Sequence, residues 1–403
     1  MTRLTVLFLT AFSGMVFFAA CEKNMQDDVP AIHVGDVSAL VSCNNDFAWR
    51  MLAAETGDEP EKNILLSPLS IHQALYMAVQ GGKGNTASEM LEVLGCYGCV
   101  ADSLNQEYGK LIPLLTTQSG HPTVTVANGY FYDRGRITLK NDFRDLLERD
   151  FDCVFSDKNF SDADAAKKQV NDWVKEKTGG KIDGIVDNID PLDVAFLINA
   201  LYYKADWNKG FNPEATHERT FNQIDGQSKQ IDFVSGDREV PFAITPDYSI
   251  ADIPFKDSTF ALSLVMPHTA GKKLDKTIYE NLVASLLYKR LYMAFPKMKL
   301  SYKNSLITSL EKMGMKDAFN SDLADFSAMG TASANIYISQ VQHKCVLSID
   351  EKGAEGAAAT SVGFSTTLAP PSIVFDRPYY VVLRHILTGT IIFAGYVVYA
   401  PVG

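Results

Sequence analysis

The sequence predicts an α+β fold in which helices come first, strands follow, and the two kinds of element do not alternate. Residues 38–115 carry mostly helical patterns. Strand patterns dominate later, at residues 259–266, 291–295, 335–349 and 373–399. Because a doubly wound parallel sheet requires regular alternation, we expect N-terminal helices packed on antiparallel or mixed sheets instead.

Composition supports one large folded domain. The chain has 403 residues, of which 46% are hydrophobic and 21% are charged, so it can bury a sizeable core and is neither disordered nor collagen-like. Its formal net charge of -11 makes binding of nucleic acid through phosphate neutralisation a poor hypothesis. No internal repeat or Pro/Ser-rich linker divides the chain, and we expect a single domain over residues 38–403.

Helix-start signals and hydrophobic periodicity locate the individual elements. Ser67 and Pro68 fit the N-cap and the first position of a helix. Residues 86–89, Thr-Ala-Ser-Glu, fit a capping box. Further helices are predicted at residues 47–52, 104–115, 141–150 and 162–178, with strands at 124–132 and 195–204.

The N-terminus indicates export. Arg3 precedes a charge-free apolar run over residues 4–20, which is typical of a signal peptide and short for a membrane span. Small residues lead directly into Cys21, as in the bacterial lipobox, although Phe18 departs from that pattern. We expect a signal peptide over 1–20, a lipid on Cys21, a polar tether over 21–37, and a protein anchored in the bacterial cell envelope, either periplasmic or surface-facing. An ordinary secretory signal would give a secreted protein instead.

The other cysteines form no complete disulfide framework, because their number is odd. They are Cys43, Cys96, Cys99, Cys153 and Cys345. Cys96 and Cys99 make a lone CxxC, and a zinc site needs about four ligands. A local disulfide or two free thiols is therefore expected there, and no metal or cofactor is expected in the chain.

Catalytic signatures are weak. The glycine-rich segment 81–86 lacks the Ser or Thr that must follow the lysine of a phosphate loop. Ser309 to Lys312 matches SxxK and Lys177 to Gly179 matches KTG, as in penicillin-binding proteins, but in reversed order. We expect no enzyme, and a serine hydrolase of that type is the remote alternative.

A segment of small residues follows the strand pattern at 341–349. Its alternate positions from Ala354 to Thr366 carry no charge, whereas Glu355 falls on the other face. Such a segment could enter a sheet with one face buried. Pro370 and Pro371 would end the insertable part, because proline cannot donate a ladder hydrogen bond.

Five separated motifs resemble those of the serpins, the family of suicide protease inhibitors, and they follow the family's order. They are 63–70 (NILLSPLS), 199–207 (NALYYKADW), 343–353 (HKCVLSIDEKG), the loop over about 351–371, and 375–379 (FDRPY). Ala205 and Asp206 depart from the second motif. The resemblance extends from about Ser38 to the end of the chain and implies a metastable fold with an exposed reactive-centre loop.

The resemblance implies a mechanism and a bait bond. In serpins a protease attacks the loop, and the cut loop inserts as a new strand into the main sheet with the acyl-enzyme attached. The family's spacing places the bond 16 residues after the hinge Glu351 and 11 before Pro378, and both counts select Thr367–Leu368. The implied hinge comprises Glu351, Gly353, Ala354, Gly356, Ala357, Ala358, Ala359 and Thr360.

The resemblance also implies two polar sites that govern opening of the sheet. The first is a buried cluster of Ser67, Ser70, Asn199 and His343. The second lies at the top of the sheet and comprises Trp207, Lys297 and Glu351. A surface ion pair contributes ~0–1 kcal/mol, so we expect the pairing of Lys297 with Glu351 to matter for position more than for stability.

The expected partner of this monomeric chain is a protease. Residues 353–376 contain no Lys or Arg, which argues against trypsin-like targets. Thr367 suits an elastase-like or subtilisin-like serine protease, or a cysteine protease.

Two glycines in the loop would weaken it as an inserted strand. Gly356 replaces the usual Ala and Gly363 adds a second glycine, and each costs roughly 0.5–1 kcal/mol in a strand. A non-inhibitory serpin that acts as a binding module therefore stays open as an alternative.

Overall fold

The computed structural model describes residues 34–58, 60–116, 123–190, 193–354 and 370–401. These residues all belong to one unit, His33–Gly403. The predicted signal peptide, Cys21 and most of the predicted tether lie outside the described residues, as does the loop over 355–369. Within the described ranges, none of the helices combines the length and the apolar character that crossing a bilayer requires.

Helices dominate the N-terminal part, as the sequence predicts. Those in the described residues are α1 (Ser38–Thr56), α2 (Pro68–Val79), α3 (Gly84–Val93), α4 (Ala101–Thr116), α5 (Asn141–Phe151), α6 (Ala163–Lys177), α7 (Lys276–Ala284) and α8 (Ile307–Met313). Proline begins α2, where its missing N–H costs nothing. A 3-10 turn at Val34–Val37 precedes α1, and Val37 is fully buried, so ordered structure begins within the predicted tether.

Strands dominate from Ala195 onward. They are β1 (Ile64–Leu66), β2 (Thr123–Tyr132), β3 (Ile137–Leu139), β4 (Cys153–Asp157), β5 (Ala195–Asp206), β6 (His217–Asn222), β7 (Ser228–Ile244), β8 (Tyr248–Pro254), β9 (Phe260–Pro267), β10 (Leu287–Pro296), β11 (Met298–Ser305), β12 (Gly330–Ala332), β13 (Gln342–Ile349), β14 (Gly353–Ala354), β15 (Ser372–Val374), β16 (Tyr379–His385) and β17 (Ile391–Val397). Strand β13 begins only at Gln342, so the strand predicted over 335–349 is about half its expected length.

The strands form mixed sheets. Nine strands make the largest sheet, in the order β1-β17-β16-β9-β8-β7-β10-β15, with β6 also paired to β7. A second sheet has the order β14-β5-β2-β4, and β11 pairs with β13 as a separate ribbon. Most pairs are antiparallel, while β10–β15 and β2–β4 are parallel. The predicted α+β class is therefore confirmed.

One helix start predicted from the sequence is wrong. Helix α3 begins at Gly84, two residues before the predicted capping box, so Thr86 lies inside the helix. The Thr86 hydroxyl instead accepts the backbone amide of Asp325 at 3.0 Å. The side chain of Glu89 accepts the amides of Lys316 and Asp317, so both polar residues join α3 to a distant segment.

A smaller apolar cluster covers one face of β2 and β5. Val170 and Val174 of α6 belong to it, together with Phe131 of β2 and Ile198 of β5. The main core lies on the opposite side, where Leu201, Tyr203 and Ala205 of β5 are buried. Strand β5 is therefore packed on both faces, although one of its edges is largely open.

Candidate functional site: a cleft and the hinge above it

A cleft separates strands β5 and β13. Strand β5 pairs with β2 and β14, and β13 pairs with β11. No register joins β5 to β13 anywhere in residues 193–354, all of which are described. The cleft has a volume of about 170 Å³ and is lined largely by apolar side chains, including Ile71, Leu75, Leu197, Leu201, Ile336 and Val341. The facing edges of β5 and β13 could accept one more strand between them.

Strand β14 occupies the upper end of this gap. Gly353 and Ala354 pair antiparallel with Asp206 and Ala205 of β5. Ala354 is 1% exposed, so its methyl group is already in the core. Ala354 is the first of the alternate positions that the sequence predicts could enter a sheet, and the uncut chain already holds it there.

Gly353 has a conformation that only glycine adopts easily. Its φ angle is +145°, and a Cβ at this position would lie 2.3 Å from the carbonyl oxygen of Ala205. The same Cβ would lie 2.7 Å from the Cα of Asp206. The glycine therefore permits the close backbone approach by which β14 joins β5.

The turn that leads into β14, Asp350–Gly353, is fixed by aromatic residues at the end of β5. The indole Nε1 of Trp207 donates to the carbonyl of Asp350 at 2.9 Å. The backbone amide of Trp207 donates to Lys352 O, and that of Phe211 donates to Glu351 O. The Trp207 ring stacks on Phe255 at 4.5 Å, which fixes the indole from its other side.

Glu351 is the buried charge of this turn. Its carboxylate accepts Lys297 Nζ at 3.1 Å and the Thr216 hydroxyl at 2.7 Å. Burial acts to raise the pKa of Glu351, but hydrogen bonds from Thr216, the backbone and Lys297 outweigh it and lower the pKa. The predicted contact with Lys297 is therefore present, whereas Thr216 carried no sequence signal.

The four residues of the predicted cluster are all buried and form two contacts. The amide of Ser67 donates to His343 Nε2 at 3.3 Å, and the Ser67 hydroxyl donates to Ile392 O rather than capping α2. Burial lowers the pKa of His343 to about 4, so the ring is neutral and can accept. Ser70 Oγ donates to the backbone carbonyl of Asn199 at 3.4 Å.

The side chain of Asn199 engages two residues that the sequence did not single out. Its Nδ2 donates to Gln73 Oε1 at 2.9 Å and to Asn128 Oδ1 at 2.7 Å. Asn199 Oδ1 is buried and has no hydrogen-bond partner among the described residues. Gln73 lies one turn after Ser70 on α2, and Asn128 lies opposite Asn199 in the register of β2 and β5. Helical spacing from Ser70 was thus a usable signal for Gln73.

The remaining predicted site residues lie outside the described residues. They are the hinge positions Gly356, Ala357, Ala358, Ala359 and Thr360, and the bait bond Thr367–Leu368. Strand β15 follows the loop and pairs parallel with β10, through Ser372 and Tyr292 among others.

The hydroxyl groups of the two penicillin-binding-type motifs have different hydrogen-bond partners. The Ser309 hydroxyl donates to Glu55, and the Thr178 hydroxyl donates to Val174 O. Neither residue lines the cleft. Among the described residues, no group of three or more His, Cys, Asp and Glu side chains could hold a metal ion.

The fold and site define a class of protein whose sheet holds an open position for a further strand. A model of the family Serpin (serine protease inhibitor) matches residues 42–400. The chain belongs to the serpin family. Serpins are, as a family, serine protease inhibitors.

Several known proteins are similar to this chain over almost its whole length. Iripin-1 of Ixodes ricinus is 29% identical over 374 residues, which cover 89% of this chain and 94% of that protein. Serpin B8 of Homo sapiens is 28% identical over 370 residues, covering 88% and 98%. The native-state crystal structure of the thermophilic serpin tengpin matches with a TM-score of 0.81 at 26% identity, covering 89% of this chain and 94% of tengpin.

Proposed function

We propose that this serpin inhibits a protease by inserting its cleaved loop into the cleft between β5 and β13. The observation that carries the proposal is the position of β14, because its first two residues already pair with β5 at the head of an otherwise open gap. The following residues of the loop would continue this strand downward. The protease, attached as an acyl-enzyme, would be carried along and distorted before hydrolysis.

The energetics of the site favour insertion after cleavage. A strand that fills the cleft pairs with unpaired edges on both sides, and each backbone hydrogen bond contributes ~1 kcal/mol net. The cleft is narrow and mostly apolar, which suits the small uncharged side chains on the alternate face of the loop. Before cleavage, both ends of the loop are held, at Ala354 and at Ser372.

The proposed bait bond is Thr367–Leu368. Counting 16 residues from Glu351 and 11 back from Pro378 gives the same position. A small β-branched residue before the bond fits an elastase-like or subtilisin-like serine protease, or a cysteine protease. Sequencing the released C-terminal peptide tests the count, because the peptide should begin at Leu368.

The decisive experiment incubates the chain with such proteases and boils the mixture in detergent. A covalent complex should survive in the wild type. Ala354→Arg should be cut at the same bond without forming the complex, because an arginine cannot enter the slot that Ala354 fills. Glu355→Arg is the matched control, since the alternation places this residue on the other face, and it should still form the complex.

The other outcomes of this experiment are informative. Cleavage of the wild type without complex formation contradicts trapping and favours a non-inhibitory serpin. That second candidate has some support, because thyroxine-binding globulin in complex with thyroxine is similar in structure, with a TM-score of 0.82 at 25% identity. Hydrolysis of a penicillin-type substrate, lost on Ser309→Ala, would favour the enzyme alternative.

For location, we propose a lipid-anchored protein of the bacterial cell envelope. The support is the apolar run over residues 4–20 and the small residues directly before Cys21. Cys21→Ala should release the protein from membranes. If the variant still fractionates with membranes, the lipid anchor is wrong, and if the wild type is found only in the medium, the segment is an ordinary secretory signal.

A further inference from the structure

A buried carboxylate spans the lower end of the cleft. Asp193 lies two residues before β5 and is only 5% exposed. Its Oδ1 accepts the Ser339 hydroxyl at 2.7 Å, and its Oδ2 accepts Gln340 Nε2 at 3.2 Å. Ser339 and Gln340 lie just before β13 and line the cleft. We call these three residues the Asp193 bridge, because they join the chain entering β5 to the chain entering β13.

Each side of the Asp193 bridge is also anchored separately. On the β5 side, Asp193 Oδ2 accepts the amide of Asp190 at 2.8 Å, and the Asp193 carbonyl accepts the Arg136 guanidinium at 3.0 Å. On the β13 side, the amide of Ile338 donates to Ala318 O at 2.8 Å. Widening of the cleft at this end is therefore resisted by the hydrogen bonds of the Asp193 bridge.

The register of the hinge would carry an inserting strand down to this bridge. Ala354 pairs with Ala205 of β5. The same antiparallel register, continued down β5, would bring Thr366 opposite Asp193. Neighbouring strands lie about 4.8 Å apart, so a strand between the two edges would separate them by roughly 9–10 Å. The backbone of that strand would then lie between Asp193 and its two partners, so their direct hydrogen bonds must break when the last residues before the bait bond enter.

We propose that the Asp193 bridge controls the final step of loop insertion. This inference rests on the proposed function, because a cleft that accepts no strand needs no such control. The upper part of the loop can enter while the bridge is intact, since the bridge lies below the whole of β5. The last residues enter only once Asp193 has released Ser339 and Gln340.

Asp193 is thus a positioning residue that does not touch the protease. In the uncut chain its hydrogen bonds oppose premature widening of the cleft. After cleavage they set how fast the acyl-enzyme is carried to the lower end, and so how often hydrolysis occurs before the protease is distorted.

The test measures how fast synthetic peptides enter the cleft of the full, intact chain. A long peptide with the sequence of residues 356–366 would reach Asp193, whereas a short peptide of residues 356–361 would end opposite Ile198. Formation of the complex is followed by native mass spectrometry. In Ser339→Ala the long peptide should bind roughly tenfold faster than in the wild type, because a hydrogen bond to a charged group no longer has to be broken. The short peptide should bind at the wild-type rate.

Two further variants are controls. Ser339→Thr keeps a hydroxyl donor, and it should bind both peptides at the wild-type rates. Ser301→Ala removes an exposed serine of β11, on the same ribbon as β13, and it should change neither rate.

The outcomes separate this inference from the proposed function. If Ser339→Ala accelerates both peptides equally, or neither, the Asp193 bridge does not control the final step, although the cleft still accepts a strand as proposed. If neither peptide binds to the wild type or to Ser339→Ala, the cleft takes no strand, and the proposed function fails together with the inference.

Discussion

Replacing Gly353 with alanine should expel β14 from the sheet of the uncut protein. The added methyl group would meet Ala205 O at 2.3 Å and the backbone of Asp206 at 2.7 Å, and no side-chain rotation can relieve a clash with backbone. Backbone strain at this φ costs ~1–3 kcal/mol and overpacking a further ~1–3 kcal/mol. The pairing of two residues and burial of the Ala354 methyl contribute ~3 kcal/mol together. The total cost of ~2–6 kcal/mol is therefore comparable to what holds β14 in place, and over most of its range exceeds it.

Amide hydrogen exchange measures this displacement. In Gly353→Ala, residues 350–354 and the end of β5 at residues 204–207 should exchange faster than in the wild type, while β16 and β17 should be unchanged. Gly226→Ala is the matched control, because Gly226 also has a positive φ, of +81°, but nothing lies within 4 Å of its Cβ position. If Gly353→Ala retains wild-type protection at residues 350–354, the close approach does not govern the hinge.

Three further predictions concern the buried polar residues. The pKa of His343 is about 4 in the folded protein against an ordinary 6.5, so its contribution to stability is complete above pH 6.5 and falls by ~2 kcal/mol at pH 5. In urea unfolding, the difference in the free energy of unfolding between pH 5 and pH 8 should be smaller in His343→Gln than in the wild type. An equal difference in the two proteins refutes this prediction. Thr216→Val should destabilise the protein by ~1–3 kcal/mol, because it removes a hydrogen bond to the buried carboxylate of Glu351. Lys297→Met should cost only ~0–1 kcal/mol, because the Lys297 side chain is 40% exposed. The reverse order in urea unfolding would show that the ion pair dominates. Asn199→Asp should lower the melting temperature markedly by burying a charge, whereas the exposed control Asn208→Asp should not. Similar melting temperatures of the two variants would show that the buried site of Asn199 tolerates a charge.

The sequence predicted the class and much of the layout because hydrophobic periodicity is local information. The strand around Ala200 and the helix that Pro68 begins follow directly from such patterns. Helix capping was less predictable. Thr86 has the spacing of a capping box, but its hydroxyl accepts a hydrogen bond from the amide of Asp325, which is distant in sequence. The division of the strand pattern at 373–399 into β15, β16 and β17 depends on pairing partners that a local pattern does not contain.

The site was predictable only as far as its motifs extend. Glu351, Ser67 and His343 could be placed because each falls in one of the five motifs, and Lys297 because the resemblance implies it as the partner of Glu351. Thr216 lies in no motif, and it reaches the hinge carboxylate only through the tertiary arrangement. The burial of Ala354 before cleavage also could not be predicted, because a sequence pattern shows that a segment can enter a sheet but not when it does.

The central claim is that the cleft between β5 and β13 accepts the loop after cleavage, and the melting temperature of the chain cut once at Thr367–Leu368 tests it most directly. Roughly ten new backbone hydrogen bonds at ~1 kcal/mol each would add ~10 kcal/mol to the stability of the cut form. The account therefore predicts that the cut chain melts well above the intact chain. A cut chain that melts at or below the temperature of the intact chain would behave like any protein nicked in a surface loop, and it would contradict insertion.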